Sequence, residues 1–237
     1  MEGIPTHIGI IPDGNRRFAK KLLQQPWKGH EWGTDKIKRV FEWCKESGIK
    51  IMTIYALSLE NLTSRPQDEL GFLFALAKRE LREMITDKKC FVHMNNVRTN
   101  FFGRLDLLPN DVQGLITKVH KATKKYKDYY MNVAMAYGGR QEIVEACRKI
   151  GAKIANGKMK PCDIDEASMR QHFWTNGHQD PDLILRTGNE KRISNFLIFQ
   201  SAYSELMFIN KFWPDFKEDD FKKAIKEYAR RERRFGK

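Results

Sequence analysis

The fold is decided by the stretch at residues 7–17, which reads His7-Ile8-Gly9-Ile10-Ile11-Pro12-Asp13-Gly14-Asn15-Arg16-Arg17. Its first five residues predict a short buried strand. The four that follow, proline, aspartate, glycine and asparagine, are typical of a turn. We expect a helix to begin at Asn15 and to run to about Leu23, so that strand, turn and helix follow one another directly.

The rest of the chain repeats this alternation. Apolar, β-rich runs predict five further strands, at residues 51–57, 97–102, 131–136, 183–185 and 206–209. Between them, apolar residues recur at helical spacing, and prolines at 66 and 109 open two of the helices. Alternating strands and helices imply a parallel sheet covered on both faces. The sequence therefore predicts one α/β domain over residues 1–237, with a mainly parallel six-stranded central sheet flanked by helices.

Composition restricts the classes of function. Of the 237 residues, 43 are Lys or Arg and 30 are Asp or Glu, which gives a net charge of +13, and 41% are hydrophobic, enough for a full core. No apolar run reaches the roughly 18 residues of a spanning helix, and no secretory signal is visible at the N-terminus. The four cysteines form no CxxC pair, so we expect reduced thiols in a cytoplasmic protein. The positive charge favours a phosphate-bearing partner.

The loop after the first strand is the first candidate site, because ligands of parallel sheets bind beyond the carboxyl ends of the strands. Gly14 lets the backbone approach a ligand, the helix that follows offers free N–H groups to an anion, and Arg17 adds a guanidinium group. Asp13 beside such a phosphate site is a natural Mg²⁺ ligand. A plain Asp-Gly turn with Asn15 as helix cap explains the same residues, so both interpretations stay open here.

A second group of polar residues is more ambiguous. Ser58, Asn61 and Arg65 follow the second strand, where they could bind a ligand or cap the next helix. His30 lies between the first two helices, and a lone histidine is more commonly structural than catalytic. Glu205 interrupts an apolar stretch and could cap a helix or bind a metal ion.

The loop after the fifth strand carries several cations and hydroxyl groups. Arg186 directly continues the apolar run of the strand, which argues for a directed side chain, and Arg192 and Ser194 follow in the same loop. These cations and hydroxyl groups could bind a diphosphate. The alternative is a charged loop that only faces solvent, which is the more common case.

Signatures of several other functions are absent. No GxGxxG follows the first strand and no GxxxxGK[ST] occurs, which argues against dinucleotide and P-loop sites. Neither HExxH nor GxSxG is present. A nucleic-acid binder is supported by the net charge alone, since no basic stripe with aromatic residues and no groove-binding helix is readable. We therefore expect no nucleic-acid partner.

Several blocks along nearly the whole chain occur in the order found in one family. They lie at residues 7–19, at Gly29-His30 with Gly33, and at 55–61, 103–109, 137–140, 186–206 and 234–236. Together they resemble the cis-prenyltransferases, the undecaprenyl diphosphate synthase family. The resemblance implies that family's fold and a Mg²⁺-dependent reaction, in which isopentenyl diphosphate condenses with an allylic prenyl diphosphate to form a cis double bond and release pyrophosphate.

The resemblance also implies roles around the allylic substrate. Asp13 would bind Mg²⁺ and help to move diphosphate and a proton, and Asn15 would assist ionisation or proton transfer. The allylic diphosphate would be held at the helix start by Gly14, Arg16 and Arg17. The reacting centre would be supported by three polar residues, with a further phosphate contact from an arginine: His30, Ser58, Asn61 and Arg65.

For the second substrate and the assembly, the resemblance implies a further set. Isopentenyl diphosphate would be held by Arg186, Arg192 and Ser194. Glu205 would help to position Mg²⁺, and it could do so across a dimer interface. Arg234 and Gly236 would complete a partner subunit's site. The family thus implies a homodimer that works at a membrane surface.

Two further expectations concern the product. The apolar tail needs a trough, which the wide face of the helix after Pro66 would line with Phe72, Leu73, Phe74 and Leu76; bulky Phe72, Phe74 and Tyr129 could close it early. Departures from the family pattern, at Pro12, Ala136 and Asn189 among others, leave one alternative, the irregular coupling of an unusual pair of prenyl diphosphates. A second alternative is a non-catalytic partner subunit of a heteromeric synthase, which would be expected to lack the Asp13 carboxylate and the arginine loop that this sequence has.

Overall fold

A computed structural model describes residues 3–25, 27–175 and 177–231. Within these residues the strands are β1 (His7–Ile11), β2 (Ile51–Ser58), β3 (Val97–Phe102), β4 (Tyr129–Tyr137), β5 (Leu183–Arg186) and β6 (Glu205–Phe208). The α-helices are α1 (Asn15–Lys21), α2 (Lys28–Glu46), α3 (Leu59–Ser64), α4 (Gln67–Thr86), α5 (Phe91–Met94), α6 (Asn110–Thr123), α7 (Gly139–Ala155), α8 (Glu166–His172) and α9 (Glu218–Arg230). Among the described helices, none has the length and hydrophobicity needed to cross a bilayer.

The strands form one sheet in the order β3-β4-β2-β1-β5-β6, and every neighbouring pair is parallel. This confirms the predicted α/β fold, with a sheet that is wholly rather than mainly parallel. The chain leaves β1 towards β2 and later returns on the other side of β1 with β5. The carboxyl ends of these three strands therefore form the crevice in which α/β proteins bind ligands. In the register, Ile11 lies beside Arg186.

The predicted strands are all present, with ends within two residues of the prediction. The sequence does not predict α3, α5 and α8, because four to seven residues are too few to establish a helical period. Local caps explain two of them. The Ser58 hydroxyl accepts a hydrogen bond from the Asn61 N–H at 3.0 Å at the start of α3, and Asp165 accepts one from the Ser168 N–H at 2.7 Å at the start of α8.

The two faces of the sheet differ in chemistry, since alternate residues of a strand point to opposite faces. On one face, Ile54 and Met131 line an apolar cavity together with residues of α2 and α4. On the other face, a row of hydrogen-bonded polar side chains crosses four strands, and its members are His7, Thr53, Asn132 and Asn100.

His7 anchors this polar row. Its Nδ1 lies 2.6 Å from the Gln179 carbonyl oxygen and its Nε2 lies 2.7 Å from the Thr53 hydroxyl, which also accepts a hydrogen bond from Asn132 at 3.1 Å. Burial lowers the pKa of His7 from 6.5 to about 4. The imidazole is therefore neutral at pH 7, so Nδ1 donates to Gln179 and Nε2 accepts from Thr53.

The shift in His7 predicts a loss of stability in acid. Between its folded pKa of about 4 and its unfolded value of 6.5, the unfolded chain binds the extra proton, so the free energy of unfolding falls as the pH falls through this window. At about pH 5 the loss from His7 alone should be about 2 kcal/mol. Urea denaturation at about pH 7.5 and pH 5 measures it.

The matched variants are H7Q and H120Q, the second at an exposed histidine. H7Q should lose about 2 kcal/mol less than the wild type between the two pH values, and H120Q should behave as the wild type does. Equal losses in the wild type and H7Q would contradict the assignment of a neutral, buried His7.

Candidate active site

Asp13 lies just beyond the carboxyl end of β1, between two arginines. Its Oδ2 accepts a hydrogen bond from Arg186 Nη2 at 2.7 Å, and its Oδ1 accepts one from Arg17 Nη2 at 3.1 Å and one from the Gly14 N–H at 2.5 Å. The carboxylate keeps 29% of its side-chain surface exposed. Asp13 is thus fixed in orientation by two guanidinium groups and remains accessible from solvent.

Arg186 organises the loop after β5. Its side chain is only 5% exposed, and its Nη1 donates to the Arg192 carbonyl oxygen at 2.5 Å and to Ser194 Oγ at 2.6 Å. Within the same loop, Glu190 accepts from Arg192 at 2.6 Å and from Arg17 of α1 at 3.2 Å. The loops after β1 and β5 therefore form one network of alternating charges.

The start of α1 requires glycine at position 14. Gly14 has φ of 101°, in the left-handed region, and a Cβ there would lie 2.6 Å from the Phe212 ring. Arg17 follows on α1, with its guanidinium 5.4 Å from the centre of the same ring. Arg16 is about half exposed, and its Nε lies 3.7 Å from Glu69. The two arginines therefore leave α1 in different directions, one to the β5 loop and one to α4.

A second cluster joins α2 to α4 beside this loop. Arg65 Nη1 lies 3.1 Å from His30 Nε2 and 2.8 Å from Glu69 Oε1. Burial, followed by the charges of Arg65 and Arg16, lowers the pKa of His30 to about 3. His30 is therefore neutral at pH 7, and its Nε2 accepts the hydrogen bond from Arg65. Arg65 and Arg16 together carry one more charge than Glu69 neutralises.

Asn15, the first residue of α1, packs against α2. Its Nδ2 donates to the Pro12 carbonyl oxygen at 3.1 Å, whereas its Oδ1 is buried and has no hydrogen-bond partner among the described residues. A Cβ at Gly29 would lie 2.0 Å from the Asn15 carbonyl oxygen, and one at Gly33 would lie 2.5 Å from Asn15 Oδ1. The two glycines thus allow α2 to pack closely against Asn15, whose buried oxygen acceptor lies two residues after Asp13 in the chain.

Ser58 and Asn61 lie at the carboxyl end of β2, the strand beside β1. Ser58 caps α3, as the capping interpretation predicts, and Asn61 supplies the capped N–H. Glu60 of the same turn accepts from Asn195 at 2.8 Å, which ties this loop to the one after β5. The structure thus brings the loops of β1, β2 and β5 to one edge of the sheet.

An apolar cavity of about 170 Å³ extends from this edge between the sheet and helices α2 and α4. Its upper end is lined by Pro12, Asn15 and His30, and its walls include Leu73, Phe74 and Leu76 as the sequence predicts. Phe72 and Tyr129 are not part of its lining. Among the apolar residues stand two charged ones, Lys38 and Glu80, whose Nζ and Oε2 atoms are 3.0 Å apart.

Comparison with known proteins assigns the chain to a family. The prenyltransferase family model described as "Putative undecaprenyl diphosphate synthase" matches residues 11–236. The chain belongs to this family. It is 47% identical over 233 residues to the tritrans,polycis-undecaprenyl-diphosphate synthase (geranylgeranyl-diphosphate specific) of Methanopyrus kandleri, covering 98% of this chain and 85% of the relative, and 46% identical to the enzyme of that name from Pyrococcus horikoshii, covering 98% and 87%.

Solved structures of this prenyltransferase family agree with the fold. Lavandulyl diphosphate synthase from Lavandula x intermedia, in complex with dimethylallyl diphosphate, superimposes with a TM-score of 0.92 at 35% identity, covering 99% of both chains. A probable undecaprenyl diphosphate synthase from Campylobacter jejuni gives a TM-score of 0.79 at 33% identity, covering all of both chains.

Two departures from the cis-prenyltransferase pattern lie at positions with positive φ, and the structure explains the one at Asn189. Asn189, which stands in place of a glycine, has φ of 59°, and asparagine tolerates this left-handed conformation better than most residues do. Ala136, in place of an asparagine, has φ of 48°, where alanine is less well suited. Each departure thus falls at a backbone position that restricts the choice of residue.

One residue expected at the prenyltransferase site, Glu205, is not brought to Asp13 within the described chain. Glu205 begins β6 and is level with Leu183, so it lies towards the amino ends of the strands, where Arg231 Nη1 donates to it at 2.7 Å. Arg234 and Gly236 lie outside the described residues. A metal site shared by Glu205 and Asp13 within one chain is therefore not what the structure shows.

Two residues of the site were missing from the sequence interpretation. Glu69 neutralises part of the Arg16 and Arg65 charge, and Glu190 bridges Arg17 and Arg192. Glu69 could have been found, because it lies four residues after Arg65, the spacing of a helical ion pair. Nothing in the sequence around Glu190 identifies its two partners, since one of them is 173 residues away.

Proposed function

We propose that this protein condenses isopentenyl diphosphate with an allylic prenyl diphosphate and extends the chain in the cis configuration, with release of diphosphate and with Mg²⁺ as the metal ion. The observation that carries the proposal is the Asp13 carboxylate, held by Arg186 and Arg17 at the head of an apolar cavity. A charged grip for a diphosphate and an apolar space for a tail are what a prenyl diphosphate requires.

The site suits the ionisation of an allylic diphosphate. The bond between the allylic carbon and the diphosphate oxygen breaks, and its electron pair leaves with the diphosphate, whose charge Arg16 and Arg17 stabilise. The double bond of isopentenyl diphosphate supplies the electrons of the new carbon–carbon bond. The isopentenyl unit then loses a proton, which passes towards Asp13 and Asn15.

The loop after β5 suits the second substrate. Arg192 is 62% exposed and can turn its guanidinium to a diphosphate in exchange for Glu190. Arg186 is already committed to Asp13, the Arg192 carbonyl oxygen and Ser194. The role of Arg186 is therefore to fix the conformation of the loop and to add a buried positive charge next to the diphosphate.

Mg²⁺ fits the donors of this site. Asp13 offers a carboxylate. The buried Oδ1 of Asn15, which no other described residue contacts by a hydrogen bond, could accept one from a metal-bound water. The described residues contain no cluster of three or more His, Cys, Asp or Glu side chains suited to a metal. Mg²⁺ commonly binds through one or two carboxylates plus phosphate oxygens and waters. When bound, it would neutralise charge on the departing diphosphate.

We propose geranylgeranyl diphosphate as the allylic primer and undecaprenyl diphosphate as the product, because the archaeal relatives carry these names. A purified preparation should turn over isopentenyl diphosphate with Mg²⁺ and show its highest kcat/KM with geranylgeranyl diphosphate in a panel that also contains dimethylallyl, geranyl and farnesyl diphosphates. Longer tails bury more apolar surface in the cavity, at about 0.8 kcal/mol per CH₂ group. Mass spectrometry of the products measures both primer use and chain length.

The same panel decides between the alternatives. The likeness to lavandulyl diphosphate synthase motivates a reaction with dimethylallyl diphosphate alone, and a coupled product there would favour irregular condensation. No turnover by the purified chain with any primer would favour a non-catalytic partner subunit. Regular cis-extended products would exclude both the irregular condensation and the non-catalytic subunit.

We further propose a cytoplasmic homodimer at a membrane surface. In support, β6 lies at the edge of the sheet and exposes Leu206, and the nearby Tyr203 is 67% exposed. Glu205 begins the same strand. If Glu205 serves Mg²⁺, it does so for the site of a second copy, because its own chain holds it away from Asp13.

A further inference from the structure

A second pocket lies on the polar face of the sheet, opposite the apolar cavity. Its volume is about 630 Å³, and its lining includes Arg98, Asn100, Tyr130, Trp174 and His178, a set called the Arg98 pocket below. Arg98 and Tyr130 are the second residues of β3 and β4. The pocket therefore opens near the amino ends of the strands, whereas Asp13 follows a carboxyl end.

Arg98 is unsatisfied within the described residues. Its Nε is buried and has no hydrogen-bond partner in the described part of the chain, where its guanidinium also forms no ion pair. None of the described residues that line the pocket is an aspartate or a glutamate. A partly dehydrated guanidinium without a counter-charge is costly, so an anion placed here would be stabilised.

The hydrogen bonds around His178 add a second donor. Asn100 Nδ2 donates to Asn132 Oδ1 at 3.0 Å and lies 3.4 Å from His178 Nε2, which must accept because Nδ2 has only hydrogens to offer. Burial, followed by the charge of Arg98, lowers the pKa of His178. The ring is therefore neutral at pH 7 and carries its hydrogen on Nδ1. The residues that line the pocket thus include a guanidinium and a neutral imidazole with one N–H.

Aromatic rings complete the pocket. The Tyr130 ring stands edge-on to His178, with centroids 6.3 Å apart, and Trp174 lines the same space. The volume lies within the range of small-molecule sites, which combine apolar walls with a few polar groups. An oxyanion can use the two donors while the rest of its molecule lies against the rings.

We infer that the Arg98 pocket binds a small phosphorylated ligand, with its phosphoryl oxygens accepting hydrogen bonds from Arg98 and His178. The ligand chemistry is a phosphoryl group, which either a free phosphate or diphosphate or a phosphomonoester with a flat ring could supply. The site is distinct from the Asp13 loop and does not depend on the reaction proposed for it.

The test follows the His178 ring resonance of the full chain by NMR, because diphosphate bound at the Asp13 loop leaves that ring untouched. The probes are inorganic phosphate, inorganic diphosphate and adenosine monophosphate. We expect a saturable shift of the His178 resonance with at least one of them. Equal affinity for phosphate and the nucleotide would mean that the oxyanion alone is bound, and tighter binding of the nucleotide would add a contact with the rings.

The variants are R98Q and R148Q. R98Q should weaken binding about tenfold or more, since it removes a charge-assisted donor, while turnover of prenyl diphosphates stays at the wild-type level. R148Q replaces a 72% exposed arginine of α7 and should bind as the wild type does. H178Q is a second variant, whose affinity for the same probes is measured by calorimetry. It should bind more weakly than the wild type although Arg98 is intact.

Two results would overturn the inference. One is an unshifted His178 resonance at millimolar concentrations of all three probes. The other is undiminished binding in both R98Q and H178Q.

Discussion

Replacement of Asp13 by alanine is expected to lower turnover of isopentenyl diphosphate by at least about 10²- to 10³-fold, the usual loss when a group that organises transition-state charge is removed. The carboxylate is the one acidic group that joins Arg186 to Arg17 at the head of the cavity in the described structure. In the proposed mechanism Asp13 would also be the carboxylate ligand of Mg²⁺, so the variant would bind the ion less well. Steady-state kinetics with geranylgeranyl diphosphate and Mg²⁺ measures the effect.

D13A also leaves Arg186 buried without its counter-charge, which should destabilise the fold by several kcal/mol. D13N is the matched control, because an amide oxygen can still accept from Arg186 but carries no charge. It should lose turnover nearly as fully as D13A while unfolding closer to the wild type in urea. Near-wild-type turnover of D13N would show that the negative charge of Asp13 is not needed, and the proposed chemistry would then be wrong.

Replacement of Gly29 by alanine is expected to disable the site from a distance. The added methyl group would lie 2.0 Å from the Asn15 carbonyl oxygen, a backbone atom that cannot move without shifting α1. Overpacking of this kind costs about 1–3 kcal/mol. Because α1 carries Asn15, Arg16 and Arg17, kcat/KM for the allylic diphosphate should fall together with stability.

Gly71 provides the control for this prediction. It lies in α4, where a Cβ would meet nothing within 4 Å. G71A should therefore stabilise the protein, by up to about 1 kcal/mol through helix propensity alone, and leave kcat/KM unchanged. Thermal unfolding and kinetics of the two variants, side by side, separate close packing from a general effect of alanine. Full activity in G29A would mean that the position of α1 does not matter.

The Asp13–Arg186 pair could be anticipated from the sequence although 173 residues separate the two. Both follow short apolar runs, and apolar runs between helices become neighbouring parallel strands whose carboxyl ends meet. What the sequence could not give was the order of strands, which decides that β5 rather than β4 lies beside β1. The position of Glu205 follows from the same reasoning: it directly precedes the strand predicted at 206–209, and in a parallel sheet the start of a strand lies at the edge opposite Asp13.

The surroundings of several charged residues could not be predicted from the sequence, for a different reason. Lys38 and Glu80 look like the solvated side of two helices, yet they line the cavity, because the ion pair across the α2–α4 gap satisfies both. Arg98 likewise belongs to a predicted strand, and nothing in the sequence indicates that its guanidinium lacks a carboxylate partner among the described residues. Whether a charged side chain has a partner depends on which residues lie near it in the folded protein. Neither hydrophobic periodicity nor the spacing of residues in the sequence predicts this.

Glu190 has a consequence for how the site responds to ionic strength. It already supplies a carboxylate to Arg17 and Arg192, so an incoming diphosphate exchanges with an anion that is tethered to the same loop. Mobile salt ions compete poorly with a tethered group, because the loop sets the effective concentration of the Glu190 carboxylate at the arginines and added salt does not change it. Affinity for the substrates should therefore fall less steeply with added salt than the number of arginines at the site suggests.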